Sequence, residues 1–153
     1  MGKEFFGGKA RRKMLLGAKL DRAAATIPAT TYEALFNIIG GRVVITSMVG
    51  EVTTVLGATA TNLKITATPT TGTAVDITAN LAVASKEAGC LFGIGVFAAA
   101  TIGANAGATS LPTASVVVPV GTLGITTSAT NTGSIKWTAT YIPLDDGAEM
   151  VVA

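Results

Sequence analysis

The side chains of this 153-residue chain that could do chemistry are few, and their grouping limits what chemistry is open to them. Asp145 and Asp146 are the only adjacent carboxylates, with Glu149 shortly after. Sequence neighbours point apart, so an acid/base pair of the glycosidase kind would need a distant third partner. Such oxygens suit a hard cation like Ca²⁺ at best weakly, and a solvated turn or an ion-pair partner is the expectation. Histidine is absent. That removes the commonest general base and metal ligand, and every Ser-His-Asp or Cys-His arrangement with it. Cys90 is the single cysteine, which excludes an intrachain disulfide and leaves no ligand set for zinc. Its apolar setting (CLFGIGVF) marks it as a small core hydrophobe. Gly93-Ile94-Gly95 lies in an apparent strand and lacks the rest of a dinucleotide loop, and no Walker loop is present. No enzyme, no metal and no cofactor is expected.

Basic side chains form the other grouping. Lys3, Lys9, Arg11, Arg12, Lys13, Lys19 and Arg22 crowd the first 22 residues against Glu4 and Asp21, a balance of +5. The remaining residues hold four Lys/Arg and seven acids, a balance of −3, with no charge from Ala88 to Ile135. Charged residues are 13% of the chain, against about 25% in typical soluble domains. A surface largely covered by neighbours needs less charge to stay in solution. Phe5 and Phe6 beside Lys3 and Lys9 read either as a stacking-plus-charge motif for nucleic acid or as an anchor for a pocket on a partner protein. The rest of the chain offers no basic groove, which favours the anchor. The candidate partner-binding residues are therefore Phe5, Phe6, Lys9, Arg11, Arg12, Lys13, Lys19 and Arg22, with nucleic acid the disfavoured partner.

Two segments must position these residues: a basic N-terminal arm over residues 1–26 and a β domain over 27–153. Gly7-Gly8 is a flexible joint. Lys9–Ala25 reads either as a short helix, with Met14, Leu15, Ala18 and Arg22 at helical spacing, which is marginal in water until it docks, or as a disordered, solvated tail. Tyr32–Ile39 reads as a short helix or as the entry to the first strand. Beyond Gly40 the apolar period becomes two, the strand signal. Strands are expected at Arg42–Val49 and Glu51–Leu56, with Gly50 a bend or bulge between them. Asn62–Thr68 and Thr73–Ala79 flank the turn Pro69-Thr70-Thr71-Gly72 and form a hairpin. Leu63, Ile65, Ala67, Val75 and Ile77 should face inward, and Lys64, Thr66, Thr68, Asp76 and Thr78 outward. Further strands are expected at Cys90–Phe97, at Ser115–Val120 with Pro119 marking an edge or bulge, and at Leu123–Thr127. Ser134–Ile142 should place Ile135, Trp137, Ala139 and Tyr141 in the core. Thr101–Pro112 reads as a loop, and Ala148–Ala153 as a tail or edge strand. Gly89–Gly107 is uncharged and long enough for a bilayer, but Gly, Thr and Asn105 interrupt it, so no membrane span is expected. The fold class is all-β, a β-sandwich or jelly-roll-like barrel of about eight short strands carrying a basic N-terminal arm. Aromatics are 5% of the chain and small apolar residues dominate. Burial per residue is then modest, which favours an oligomer or a larger assembly.

Two stretches, Gly41–Ala79 and Ser134–Ala148 (SIKWTATYIPLDDGA), resemble tailed-bacteriophage structural proteins. They are most similar to small head decoration, or cement, proteins. The PTTG hairpin and the W-x-x-x-Y-I-P-L-D-D-G ending carry the likeness, which covers about a third of the chain. The resemblance implies an accessory virion protein with a β-rich fold, bound outside the shell of the major capsid protein as a homo-oligomer (dimer or trimer) and stabilising it. It implies no catalytic residues, and it does not extend to the basic arm. A tail, neck or fibre-associated β protein of the virion, and a nucleic-acid-binding module acting through the arm, are the alternatives.

Overall fold

Apolar residues alternating with Thr, Ser and Lys build strands with one buried and one wet face, and two such faces must meet. The computed structural model describes residues 7–28, 31–94, 102–106 and 114–153. A short helix, α1 (Gly8–Leu16), precedes twelve strands: β1 (Ala18–Ala25), β2 (Tyr32–Ile39), β3 (Val43–Thr54), β4 (Asn62–Pro69), β5 (Val75–Asp76), β6 (Leu81–Ala82), β7 (Cys90–Ile94), β8 (Ile102–Ala106), β9 (Val116–Val118), β10 (Gly121–Thr127), β11 (Ser134–Pro143) and β12 (Glu149–Val152). One sheet runs β1-β11-β3-β7-β8, with β9 beside β7 on the same edge of β3. The other runs β12-β2-β10-β4-β5, with β6 also on β4. Every pairing is antiparallel. The two sheets enclose one core, and the all-β sandwich expected from the alternation is the fold.

The centre of that core is β11. Ile135, Trp137, Ala139 and Tyr141 are buried, as their alternation requires. Trp137 stands opposite Gly50 of β3. A Cβ on Gly50 would sit 2.8 Å from the indole ring. Gly50 is therefore no bend or bulge between two strands. β3 continues through it for 12 residues, and the missing side chain is the space the indole occupies. Phe36 and Leu35 of β2, Phe92 of β7 and Leu63 and Ile65 of β4 complete the packing. On the outer faces, hydroxyls bond to one another across strands. Thr140 Oγ1 lies 2.7 Å from Thr46 Oγ1 and 2.6 Å from Ser47 Oγ. Thr66 Oγ1 lies 2.9 Å from Thr126 Oγ1, and the Tyr32 hydroxyl 2.6 Å from Thr122 Oγ1. Such cross-strand pairs are the sheet's own lateral support.

The hairpin about Pro69–Gly72 forms, with Thr66 opposite Asp76 and Ala67 opposite Val75. Three of its side chains differ from the alternation in burial, among them Thr66, which is buried and bonded to Asp76 and Thr126. Val75 is exposed, because β5 has only two residues and lies at the sheet edge. Thr78 is buried, and its Oγ1 accepts a hydrogen bond from the Ile65 amide at 2.8 Å, standing in for a ladder carbonyl. Tyr32–Ile39 is a strand, and Ala148–Ala153 contributes the edge strand β12. Thr101–Pro112, expected to be a loop, contains β8, paired over five residues with β7. Its Gly, Ala and Asn residues have poor strand propensity, and the preceding strand β7 supplies the pairing. β7 ends at Ile94, and the expected continuation to Phe97 lies outside the described residues. The helix expected over Lys9–Ala25 stops at Leu16, and Ala18–Ala25 is the strand β1 on β11. Half-buried Ala18, Leu20 and Arg22 alternate there with exposed Lys19 and Asp21, so period two prevails over 3.6. The body thus begins at Ala18.

A polar clasp closes one end. Asp145 Oδ2 accepts from Arg42 N at 2.8 Å and Nε at 2.9 Å, and Oδ1 accepts from Nη2 at 2.7 Å. The fork joins the β2–β3 turn to the β11–β12 turn. The Arg42 guanidinium, and then its amide, hold the Asp145 carboxyl at about 2, below its ordinary 3.8. Asp76, beside Lys64, and Asp21, beside Lys19 and Thr138, are lowered for the same kind of reason.

Two outcomes are expected. Trp137→Ala should cost about 3–5 kcal/mol in denaturant unfolding, the usual range for an aromatic core truncation. A carboxyl with a lowered folded pKa favours the folded state when ionised, so its contribution is complete above about pH 4 and fades as the pH falls toward about 2. Urea midpoints measured across that window should fall with pH. In Asp145→Asn the fall should be shallower, and an unchanged acid limb would remove the clasp from the account.

Candidate functional site

Strand directions gather one set of turns at one end of the sandwich. Gly121 pairs with both Pro69 and Ile38, and Val43 pairs with both Val118 and Pro143. The β2–β3, β4–β5, β9–β10 and β11–β12 turns therefore share an end. β1 starts there too, because Ala18 pairs with Tyr141, and so α1 is carried to the same place. Among the described residues ten large hydrophobic side chains are exposed. Eight of them belong to this end or border it: Met14, Leu15, Ile39, Val75, Val117, Val120, Ile142 and Leu144. Only Val55 lies at the far end, and Val152 lies on the free edge strand. Exposed apolar side chains gathered in one region mark interaction sites.

The helix is built to project. None of its side chains is buried, and Met14 and Leu15 are 69% and 78% exposed. Its N-terminus has no side-chain cap, Gly7 O serving the amides of Ala10 and Arg11. Its C-terminus is pinned. The Gly17 amide donates to Lys13 O at 3.0 Å, and Thr46 Oγ1 donates to Leu16 O at 2.5 Å. Gly17 has φ +83° and lies against β11 so closely that a Cβ would fall 2.0 Å from Tyr141 O. Only glycine meets both conditions.

The sequence-derived candidates divide. Phe5 and Phe6 lie outside the described residues. Lys9, Arg11, Arg12 and Lys13 are exposed on α1. Lys9, Arg12 and Lys13 share a helix face by their spacing and line a cleft of about 210 Å³ with Gly17, Ala18 and Lys19. Like charges at such spacing repel by a few tenths of a kcal/mol per pair, and among the described residues Lys9, Arg12 and Lys13 have no acidic partner. Lys19 stands on the outer face of β1 and pairs with Asp21 at 2.5 Å. Arg22 departs from the expectation. It is half-buried and bonded to Glu33 of β2, so it ties the two sheets together and is committed to the fold. Charge clustering in the sequence joined Arg22 to the others, and the strand direction separated it.

The apolar half of the site was not foreseen. Ile142 and Leu144 flank a proline before Asp145 and Asp146, which is a readable sign of an apolar turn. Val117, Val120 and Ile39 carry no such sign, since their exposure depends on which sheet face and edge they occupy. A groove of about 220 Å³ lined by Ala67, Pro69, Val75, Ile77 and Val116–Pro119 opens at this end between the sheets. Among the described residues no group of three His, Cys, Asp or Glu is placed to hold a metal ion. Both oxygens of Asp145 are occupied by Arg42. Among the same residues no helix is long and apolar enough to cross a membrane. No family model, curated protein or solved structure matches this chain.

Gly17 gives a way to separate the helix from the body. Gly17→Ala should release α1, speeding limited tryptic cleavage at Lys9–Lys13 by about tenfold or more, because protease sites cut in proportion to local opening. The denaturation midpoint of the sandwich should change little. A midpoint loss as large as that of Trp137→Ala would place Gly17 in the core's cooperative unit.

Proposed function

We propose that this chain is a virion structural protein, a capsid decoration or cement protein that binds and stabilises the shell of the major capsid protein. One observation carries the reading: a cationic helix that buries none of its own side chains is held by a buried glycine at the end where exposed apolar residues collect. A helix of nine residues has little stability of its own in water. Its fixed position makes sense if a neighbour completes it. The resemblance of Gly41–Ala79 and Ser134–Ala148 to phage decoration proteins supplies the kind of neighbour.

In mechanism, the body makes broad contact and α1 reaches across a subunit boundary. The half-exposed hydroxyls of Thr46 and Thr126 already bond to Thr140 and Thr66, so covering them strands few polar groups without partners. Each exposed ion pair contributes only about 0–1 kcal/mol. Several on one tethered element, added to the contact of the body, act at high effective concentration and hold firmly together.

The test is a truncation that respects β1. Deleting residues 2–16 removes the helix and leaves the edge strand from Ala18 onward. The truncated chain should unfold at nearly the full-length midpoint and occupy purified capsids at least about tenfold more weakly, a loss near 1.4 kcal/mol. Unchanged occupancy would exclude α1 from attachment. Electron micrographs placing the full chain at the tail or neck would move it to another part of the virion.

A further inference from the structure

We infer that the boundary crossed by α1 lies between two copies of this chain, whose helix-bearing ends pair about a twofold axis. In that pairing α1 of each copy lies against the Leu144–Glu149 turn of the other. The inference rests on α1 being a partner-binding element, as read above, and not on the shell being the partner.

The end carries two opposite sets of charge. Lys9, Arg12 and Lys13 are exposed on α1, and Asp146 and Glu149 are exposed on and beside the β11–β12 turn. Within one chain the sets do not meet. Among the described residues none of these five side chains has an ion pair, although Asp145, between them in sequence, is fully engaged by Arg42. Each set is bordered by exposed apolar side chains, Met14 and Leu15 on the helix and Ile142 and Leu144 at the turn. A patch that contains both halves of a complementary pair matches a second copy of itself when rotated by a twofold, since residue i meets j and j meets i. The pairing neutralises both charge sets and covers the apolar residues that border them in one step. A closed pair also stops the growth that a head-to-tail contact would allow.

A long polyanion fits the same end poorly. The same end also presents the exposed carboxylates of Asp146 and Glu149. Among the described residues Phe36, Phe92, Trp137 and Tyr141 are buried, and of the described aromatic rings only half-buried Tyr32 is open to a base.

The test uses sedimentation equilibrium of the full-length chain with charge reversals confined to exposed side chains. The wild type should form dimers whose dissociation constant rises at least about tenfold between about 0.05 M and 0.5 M salt, because exposed charge pairs are screened. Arg12→Glu with Lys13→Glu, and separately Asp146→Lys with Glu149→Lys, should each weaken self-association by at least about tenfold, since each variant sets like charges against like at both contacts. Mixing the two variants should restore dimers, because every reversed helix then meets a reversed turn. Denaturation midpoints close to wild type show that the variants are folded. A wild type monomeric at all salts, a trimer, unaffected variants, or a mixture that stays monomeric would each overturn the pairing, and so would a monomer that retains DNA at low salt. Capsid occupancy is a separate readout: dimers that ignore capsids sink the decoration reading alone, and monomers that decorate capsids sink the pairing alone.

Discussion

The packing of Trp137 over Gly50 is the contact on which the rest of the structure depends. The chain has one tryptophan and few other aromatics, so the core is assembled mainly from Val, Ile, Leu and Ala. Small side chains leave gaps between sheets unless something large fills the centre. The indole does so only because β3 presents no Cβ beneath it. The strand that carries Trp137 also receives β1 on one side and β3 on the other, seats Gly17 on its last turn, and leads into the turn that Arg42 clasps. The position of the helix is therefore a consequence of the position of β11, and the external surface inherits its geometry from the core.

That surface is organised by two kinds of economy. Over the sheet faces, hydroxyls satisfy one another and charge is scarce, so the faces are wettable without being strongly hydrated. At one end, Lys9, Arg12, Lys13, Asp146 and Glu149, which form no ion pair among the described residues, are brought together with exposed apolar side chains by elements that are far apart in sequence. The ion pairs that remain elsewhere, Lys64 with Asp76 and Arg22 with Glu33, join strands within a sheet or one sheet to the other. They belong to the fold.

Some of this was legible residue by residue. The run from Asn62 through the Pro69–Gly72 turn names its own hairpin, because alternation and turn chemistry are both local. The buried row Ile135, Trp137, Ala139 and Tyr141 was readable for the same reason. β8 was not, since its Gly-, Ala- and Asn-containing segment becomes a strand only when β7 lies alongside. β1 was not legible either, since Met14, Leu15, Ala18 and Arg22 fit a helical period and the alternative to a helix was a disordered tail. The decisive residue was Gly17, whose positive φ and contact with Tyr141 O end the helix and start the strand. Arg22 looked like one more cation of the arm until its strand aimed it at Glu33.

Alone, the order of residues determined an all-β class, the absence of the usual catalytic and zinc-binding sets, and the concentration of positive charge near the N-terminus. These follow from composition and short periods, which act over a few neighbouring positions. Tertiary structure alone decided where the helix stops, which cation is spent inside the fold, and that residues as distant as Leu15, Ile39, Val120 and Leu144 share one end. The physical reason is that exposure and company are set by antiparallel pairing between strands remote in the chain, and no local pattern records which strand will be the neighbour.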